Sequence, residues 1–206
     1  MTYLLYELSR DPSLQRRLRC EVQSLFLESV PNNRLPDFVA IDQLPFLEAC
    51  VMESLRLHPP VVGSQARVTP RGGTKLGGYT HIPSGVRVSA RAYCLHQNPD
   101  IYPNPMSFQP HRWLNESGQI LKASEAPEIH QWWWAFGSGG KVCLGNHFAM
   151  HGEYSTALEL GSASAKISWF RYQNYHRIHI LILRGGISKL WRYGSGRRIY
   201  WWSEGS

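Results

Sequence analysis

Residues Phe136-Gly137-Ser138-Gly139-Gly140-Lys141-Val142-Cys143-Leu144-Gly145 constrain this chain more than any other stretch. They place one cysteine in a glycine-rich loop that runs into a helix predicted from Asn146 to Met150. The free amides and the macrodipole at a helix N-terminus favour negative charge, and Lys141 adds a cation two residues away. Two other readings of these glycines fail on spacing. A phosphate-binding P-loop needs Ser or Thr after Gly-Lys, but Val142 follows Gly140-Lys141, and Ala135 stands where the first glycine belongs. A dinucleotide fingerprint beginning at Gly137 needs a small residue where Val142 stands. A glycine-rich turn around a buried, inert cysteine remains open on these residues alone.

Phe136, Gly139, Cys143 and Gly145 fill the four fixed positions of F-x-x-G-x-x-x-C-x-G. The loop thereby resembles the haem-ligand loop of the cytochrome P-450 monooxygenases. That family usually carries Arg where this chain has Lys141, which keeps the charge and loses the bidentate fork.

Two further motifs lie upstream. Leu47, Val51 and Leu55 recur at helical spacing, with Asp42 as the expected N-cap, Pro45 in the first turn and His58-Pro59-Pro60 as the stop. Glu53 and Arg56 stand at i, i+3 on this helix, a spacing that by itself suits an exposed ion pair worth a few tenths of a kcal/mol, ~0.3. Glu-x-x-Arg followed by Leu-His-Pro-Pro is similar to a helix of the same family, and Phe108 to Trp113 resembles its P-x-R-F/W element. The resemblance implies a buried triad of Glu53, Arg56 and Arg112 beside the haem-ligand loop. His111, where the family often has Glu, reads as a surface variant, and His96 as a structural helix-end residue.

Between these motifs the chain reads as short strands. They span Gln65 to Val68, Thr74 to Leu76, Tyr79 to Ile82 and the alternating Val86, Val88 and Ala90, with turns at Gly72-Gly73, Gly77-Gly78 and Pro83-Ser84-Gly85. Upstream, Leu4, Leu5 and Leu8 mark one helix, and Asp11-Pro12 opens a second carrying Leu14, Leu18, Val22 and Leu25. The expected fold is mainly α with small β-sheets, a partial cytochrome P-450 fold over 1–150 with an atypical tail over 151–206. The resemblance implies that the family's N-terminal half, with its membrane anchor, distal helix and proton-delivering acid/alcohol pair, is not represented in residues 1–150. No catalytic residue is therefore assigned.

The resemblance implies haem b (iron protoporphyrin IX) bound through Cys143, with Phe136 shielding the sulfur, Gly139 and Gly145 shaping the loop, and Lys141 and Arg67 pairing with propionates. It implies insertion of one atom of dioxygen into a small organic substrate, electrons from a reductase, and a place on the cytosolic face of the endoplasmic reticulum membrane. The alternatives are a non-catalytic haem-binding fragment or pseudoenzyme, and, ranked below it, a nucleic-acid-binding protein acting through its basic tail.

The four cysteines at 20, 50, 94 and 143 form no C-x-x-C pair, which argues against a structural zinc site or a thioredoxin motif. The net charge of +7 raises a nucleic-acid partner. However, residues 1–150 hold 14 Lys and Arg against 12 Asp and Glu, a balance of +2, while 151–206 hold 8 against 3, a balance of +5. The excess sits in a tail whose basic residues line no regular face, so no nucleic-acid partner is expected. Gly152 and Gly161-Ser162-Ala163-Ser164 are expected to interrupt any helix there, and Ile178, Ile180 and Ile182 suggest one strand. Periodicity and resemblance stop together near Met150, so the tail reads as a shifted reading frame, a retained intron or a disordered segment.

Overall fold

The computed structural model of the chain describes residues 2–29, 38–162, 179–184 and 187–192. Helices α1 (Thr2–Arg10), α2 (Pro12–Ser29), α3 (Phe38–Ile41) and α4 (Pro45–Leu57) come first. Strands β1 (Gln65–Val68), β2 (Thr74–Leu76), β3 (Tyr79–Ile82) and β4 (Arg87–Ala90) follow, then α5 (Ala92–His96) and a 3-10 turn at Pro110–Trp113. Helix α6 (Pro127–Trp132), a 3-10 turn at Gly139–Lys141, α7 (Asn146–Ser162), β5 (His179–Arg184) and β6 (Ile187–Arg192) complete the described elements. The architecture is α+β, with antiparallel pairs β1–β4, β2–β3 and β5–β6.

The Asp11 expectation holds. Its Oδ1 accepts the Ser13 amide at 2.8 Å and the Leu14 amide at 3.2 Å, which satisfies two otherwise orphaned donors of α2. The Ser13 hydroxyl, then these amides, hold its carboxyl below the ordinary carboxylate range. Leu14, Leu18, Val22 and Leu25 face inward and pack with Leu4 and Leu8 of α1.

Helix α4 is the central element, with every residue from Phe46 to Leu57 except Glu48 buried. It carries apolar residues on all sides, as a helix enclosed by neighbours must. Its start differs from the expectation. Leu44, not Asp42, holds the N-cap position and makes no side-chain cap bond. The cap comes from α2: Glu21 accepts the Phe46 amide at 2.9 Å and the Leu47 amide at 2.8 Å. Asp42 instead lies 3.5 Å from the His151 ring. Glu21→Ala is expected to destabilise the chain by about 1–2 kcal/mol, read as a lower urea midpoint with an unchanged slope.

The strands fall where the pattern places them. Gln65 pairs with Ala90 and Arg67 with Val88. One turn shows why glycine is needed. Gly73 has φ +77°, and a Cβ there would sit 2.5 Å from the Ile82 carbonyl oxygen.

Helix α7 runs unbroken through Gly152 and Gly161 to Ser162, contrary to the expected interruptions. Each glycine costs about 1 kcal/mol against alanine, which packing can override. Tyr154 is buried in the same cluster as α1, α2 and α4, and Met150 packs against it. In the tail, β5 contains Ile180 and Ile182 and pairs with β6, a second strand the pattern does not announce. Residues 163–178, 185–186 and 193–206, on which most of the reading-frame expectation rests, lie outside the described residues.

Candidate functional site

The site is built on α4. Glu53 and Arg56 are both fully buried, so their i, i+3 spacing is not a surface pair. Arg56 Nε donates to Glu53 Oε2 at 2.8 Å and Nη2 to Oε1 at 2.9 Å, a bidentate fork. The remaining guanidinium donors are also used. Nη1 reaches the His96 and Pro105 carbonyls at 2.8 and 2.7 Å, and Nη2 the Ser107 carbonyl at 3.2 Å.

The 3-10 turn at Pro110–Trp113 closes the other side of the carboxylate. Arg112 Nε donates to Oε1 at 3.1 Å, as does the Gln109 amide at 2.9 Å, while Trp113 Nε1 donates to Oε2 at 3.0 Å. Tyr102 lies under both guanidinium groups, 5.3 Å from Arg56 and 5.9 Å from Arg112. Glu53, Arg56 and Arg112 are thus one hydrogen-bonded unit. Sequence reasoning missed Gln109 and Trp113 as its other members; an indole beside Arg112 in the motif is the only signal that points to one of them.

An aromatic arm leads from this unit to the cysteine loop. Trp133 Nε1 donates to the Met52 carbonyl of α4 at 3.2 Å. Its ring meets Trp113 at 6.1 Å and Phe136 at 5.9 Å, both edge-on. Phe136 packs against the α1–α2–α4 cluster, and its carbonyl accepts the Cys143 amide at 2.9 Å. Gly137 (φ +75°) and Gly139 (φ +66°) turn the chain back, and a Cβ on Gly137 would come within 3.6 Å of Gln65 Oε1 at the start of β1. A Cβ on Gly145 would sit 3.9 Å from Cys143 Sγ. The Gly145 carbonyl accepts the Ala149 amide at 2.9 Å, so α7 begins directly after the loop.

Cys143 is exposed, and so are the apolar side chains around it in sequence: Val142, Leu144 (100 % exposed) and Phe148 (86 %). A thiol among solvent-facing apolar groups is the reverse of a buried structural cysteine. Lys141 is exposed on the short turn before it. Arg67 is exposed too, its Nη1 on the Ala66 carbonyl at 3.0 Å. It shares a face of β1 with Gln65, whose Oε1 a Cβ on Gly137 would meet at 3.6 Å. His111 is exposed and meets Arg17 at 2.6 Å, while His96 ends α5 and is fully buried. Among the described residues no three His, Cys, Asp or Glu side chains gather as a metal-binding group.

The cytochrome P-450 family profile matches residues 1–156. This chain belongs to the cytochrome P-450 family. The match extends six residues beyond Met150, into the helix that continues past Gly152. The chain is 34% identical over 172 residues to cytochrome P-450 monooxygenase avaI of Aspergillus versicolor, covering 81% of this chain and 41% of that protein. It is 36% identical over 148 residues to monooxygenase apf7 of Gibberella fujikuroi, covering 70% and 27% of the two chains. It is 36% identical over 150 residues to monooxygenase ankB of Aspergillus thermomutatus, covering 72% and 26%. The chain therefore spans less than half the length of these relatives.

The residues present fit a haem group. An exposed thiol in a glycine-rich loop, with exposed apolar side chains next to it in sequence, suits a flat apolar macrocycle that takes one sulfur ligand. Basic side chains at Lys141 and Arg67 stand on the loop and on the adjoining strand.

Proposed function

We propose that Cys143 would supply the sulfur ligand of haem b, and that this chain would form the thiolate side of a monooxygenase. The observation that carries the reading is an exposed thiol whose backbone is tied, through Phe136 and the aromatic arm, to the buried Glu53–Arg56–Arg112 unit.

In this reading each residue has a task. Cys143 presents its sulfur from a loop fixed by the Phe136 carbonyl. Gly139 and Gly145 keep side chains out of the space beside it. Phe136 covers one side of the loop and excludes water from it. Lys141 and Arg67 hold the propionates by charge. Glu53, Arg56 and Arg112 keep α4, the Pro110–Trp113 turn and the arm in register. Bound haem supplies oxygen activation at iron, which a thiolate ligand promotes by donating electron density.

The substrate class is a small organic molecule, and the electron donor is a reductase. The cytosolic face of the endoplasmic reticulum membrane is the proposed location. Among the described residues no helix is long and apolar enough to cross a membrane.

The test is a spectrum of the full chain expressed with haem supply. The reduced carbon monoxide complex is expected to show the red-shifted Soret band of thiolate ligation. A chain that retains no haem, or one whose Soret band is unshifted, overturns the proposal. Haem retained with that band but without turnover, when reductase is added, would leave the ligand assignment intact and favour a non-catalytic haem-binding fragment.

A further inference from the structure

His96 bonds both to the buried ion network and to Trp134, two residues before the cysteine loop. Its Nδ1 is 2.9 Å from the Arg56 carbonyl oxygen, and its Nε2 is 2.7 Å from the Trp134 backbone nitrogen. A carbonyl only accepts and an amide N–H only donates, so these partners assign the ring as neutral with its proton on Nδ1. Burial pushes the imidazole down to about 4, which keeps it in this form at neutral pH. The backbone carbonyl of His96 in turn accepts Arg56 Nη1 at 2.8 Å. Arg56 and His96 are therefore joined in both directions.

From Trp134 the connections continue toward the sulfur. The Trp134 carbonyl accepts the Gly137 amide at 3.1 Å, and the Phe136 carbonyl accepts the Cys143 amide at 2.9 Å. Glu53, Arg56, His96, Trp134 and the turn that carries Cys143 form one connected path. The Trp134 amide has no regular secondary-structure partner, and a buried or half-buried amide without an acceptor is costly.

We propose that His96 is a positioning residue: its Nε2 fixes the Trp134–Gly137 arm against α4 and thereby sets the place of Cys143. This rests on Cys143 as the haem ligand for its functional meaning, but the positioning is a property of the chain itself.

Two substitutions separate the two ring nitrogens. His96→Asn puts an amide near the Nδ1 place, keeping a donor for Arg56 and removing the acceptor for Trp134. His96→Gln reaches the Nε2 place and can keep that acceptor. The measurement is hydrogen exchange, residue by residue, on the full chain without haem. In the Asn variant the Trp134 and Cys143 amides are expected to exchange about tenfold faster or more, with Val51 and Leu55 of α4 unchanged. The Gln variant should stay within about threefold of wild type at all four amides. Unchanged Trp134 exchange in the Asn variant overturns the proposal. So does a change at Trp134 that leaves Cys143 untouched, or equal behaviour of the two variants. Should the Asn variant unfold throughout α4, the Gln variant decides: retained loop protection supports the role and lost protection overturns it. In haem-supplied chains, the same order is expected for the fraction showing the thiolate-type carbon monoxide band. If wild type lacks that band, the haem reading fails while the exchange rates still judge His96.

Discussion

Glu53→Ala is expected to lower the urea unfolding midpoint of this chain by more than any other single substitution considered. The carboxylate accepts the Arg56 fork, Arg112 Nε, the Gln109 amide and the Trp113 indole, and all of these donors would lose their acceptor together. Arg56 is fully buried and would keep an uncompensated charge. Removing one partner of such a buried pair costs about 3–5 kcal/mol, against about 5–15 kcal/mol of total stability for an ordinary domain. The network is not on that account a net source of stability, since replacing both partners by apolar groups can be neutral. Glu53→Ala combined with Arg56→Met should therefore be less damaging than the sum of the single changes. Urea unfolding followed by Trp fluorescence checks this. A Glu53→Ala midpoint within error of wild type would mean that the network does not hold these elements together.

The same network shows where sequence is sufficient and where it stops. The Glu53–Arg56 pairing is legible because i, i+3 positions always meet on a helix. Its burial is not, since an exposed pair has the same spacing; only the neighbouring motifs point inward. The Asp11 cap is legible because its bonds span two and three residues. The cap of α4 is not, because Glu21 reaches it from 25 positions away and Asp42 satisfies the local rule equally well. Gly152 misleads for a related reason. Helix propensity is a local preference, whereas α7 is held by Tyr154 and Met150 against distant helices. Four short strands fall where Gly and Pro punctuation places them, because tight turns are local. His96 reads as a helix end, which it is, but its link to Trp134 spans 38 residues and leaves no periodic trace. The exposure of Cys143 is likewise a tertiary fact that no spacing encodes.

Cys143→Ala is the second large effect, and it is expected to fall on ligation alone. The side chain is exposed, and the loop is tied by the Cys143 backbone amide, which alanine retains. Folding stability should stay within about 0.5 kcal/mol of wild type, as for other surface changes. The thiolate-type Soret band of the reduced carbon monoxide complex should vanish entirely. Loss of the band together with loss of folding would assign Cys143 a structural role instead.

The thiol itself offers the most direct measurement. Cys20 and Cys94 are exposed like Cys143, whereas Cys50 is buried, and that burial pushes its thiol well above the ordinary cysteine range. Alkylation of the full chain, followed cysteine by cysteine with and without haem, therefore carries its own references. Haem is predicted to suppress modification of Cys143 while Cys20 and Cys94 react at unchanged rates and Cys50 stays silent in both states. Equal modification of Cys143 in the haem-loaded and haem-free chain would contradict the assignment of its sulfur to iron.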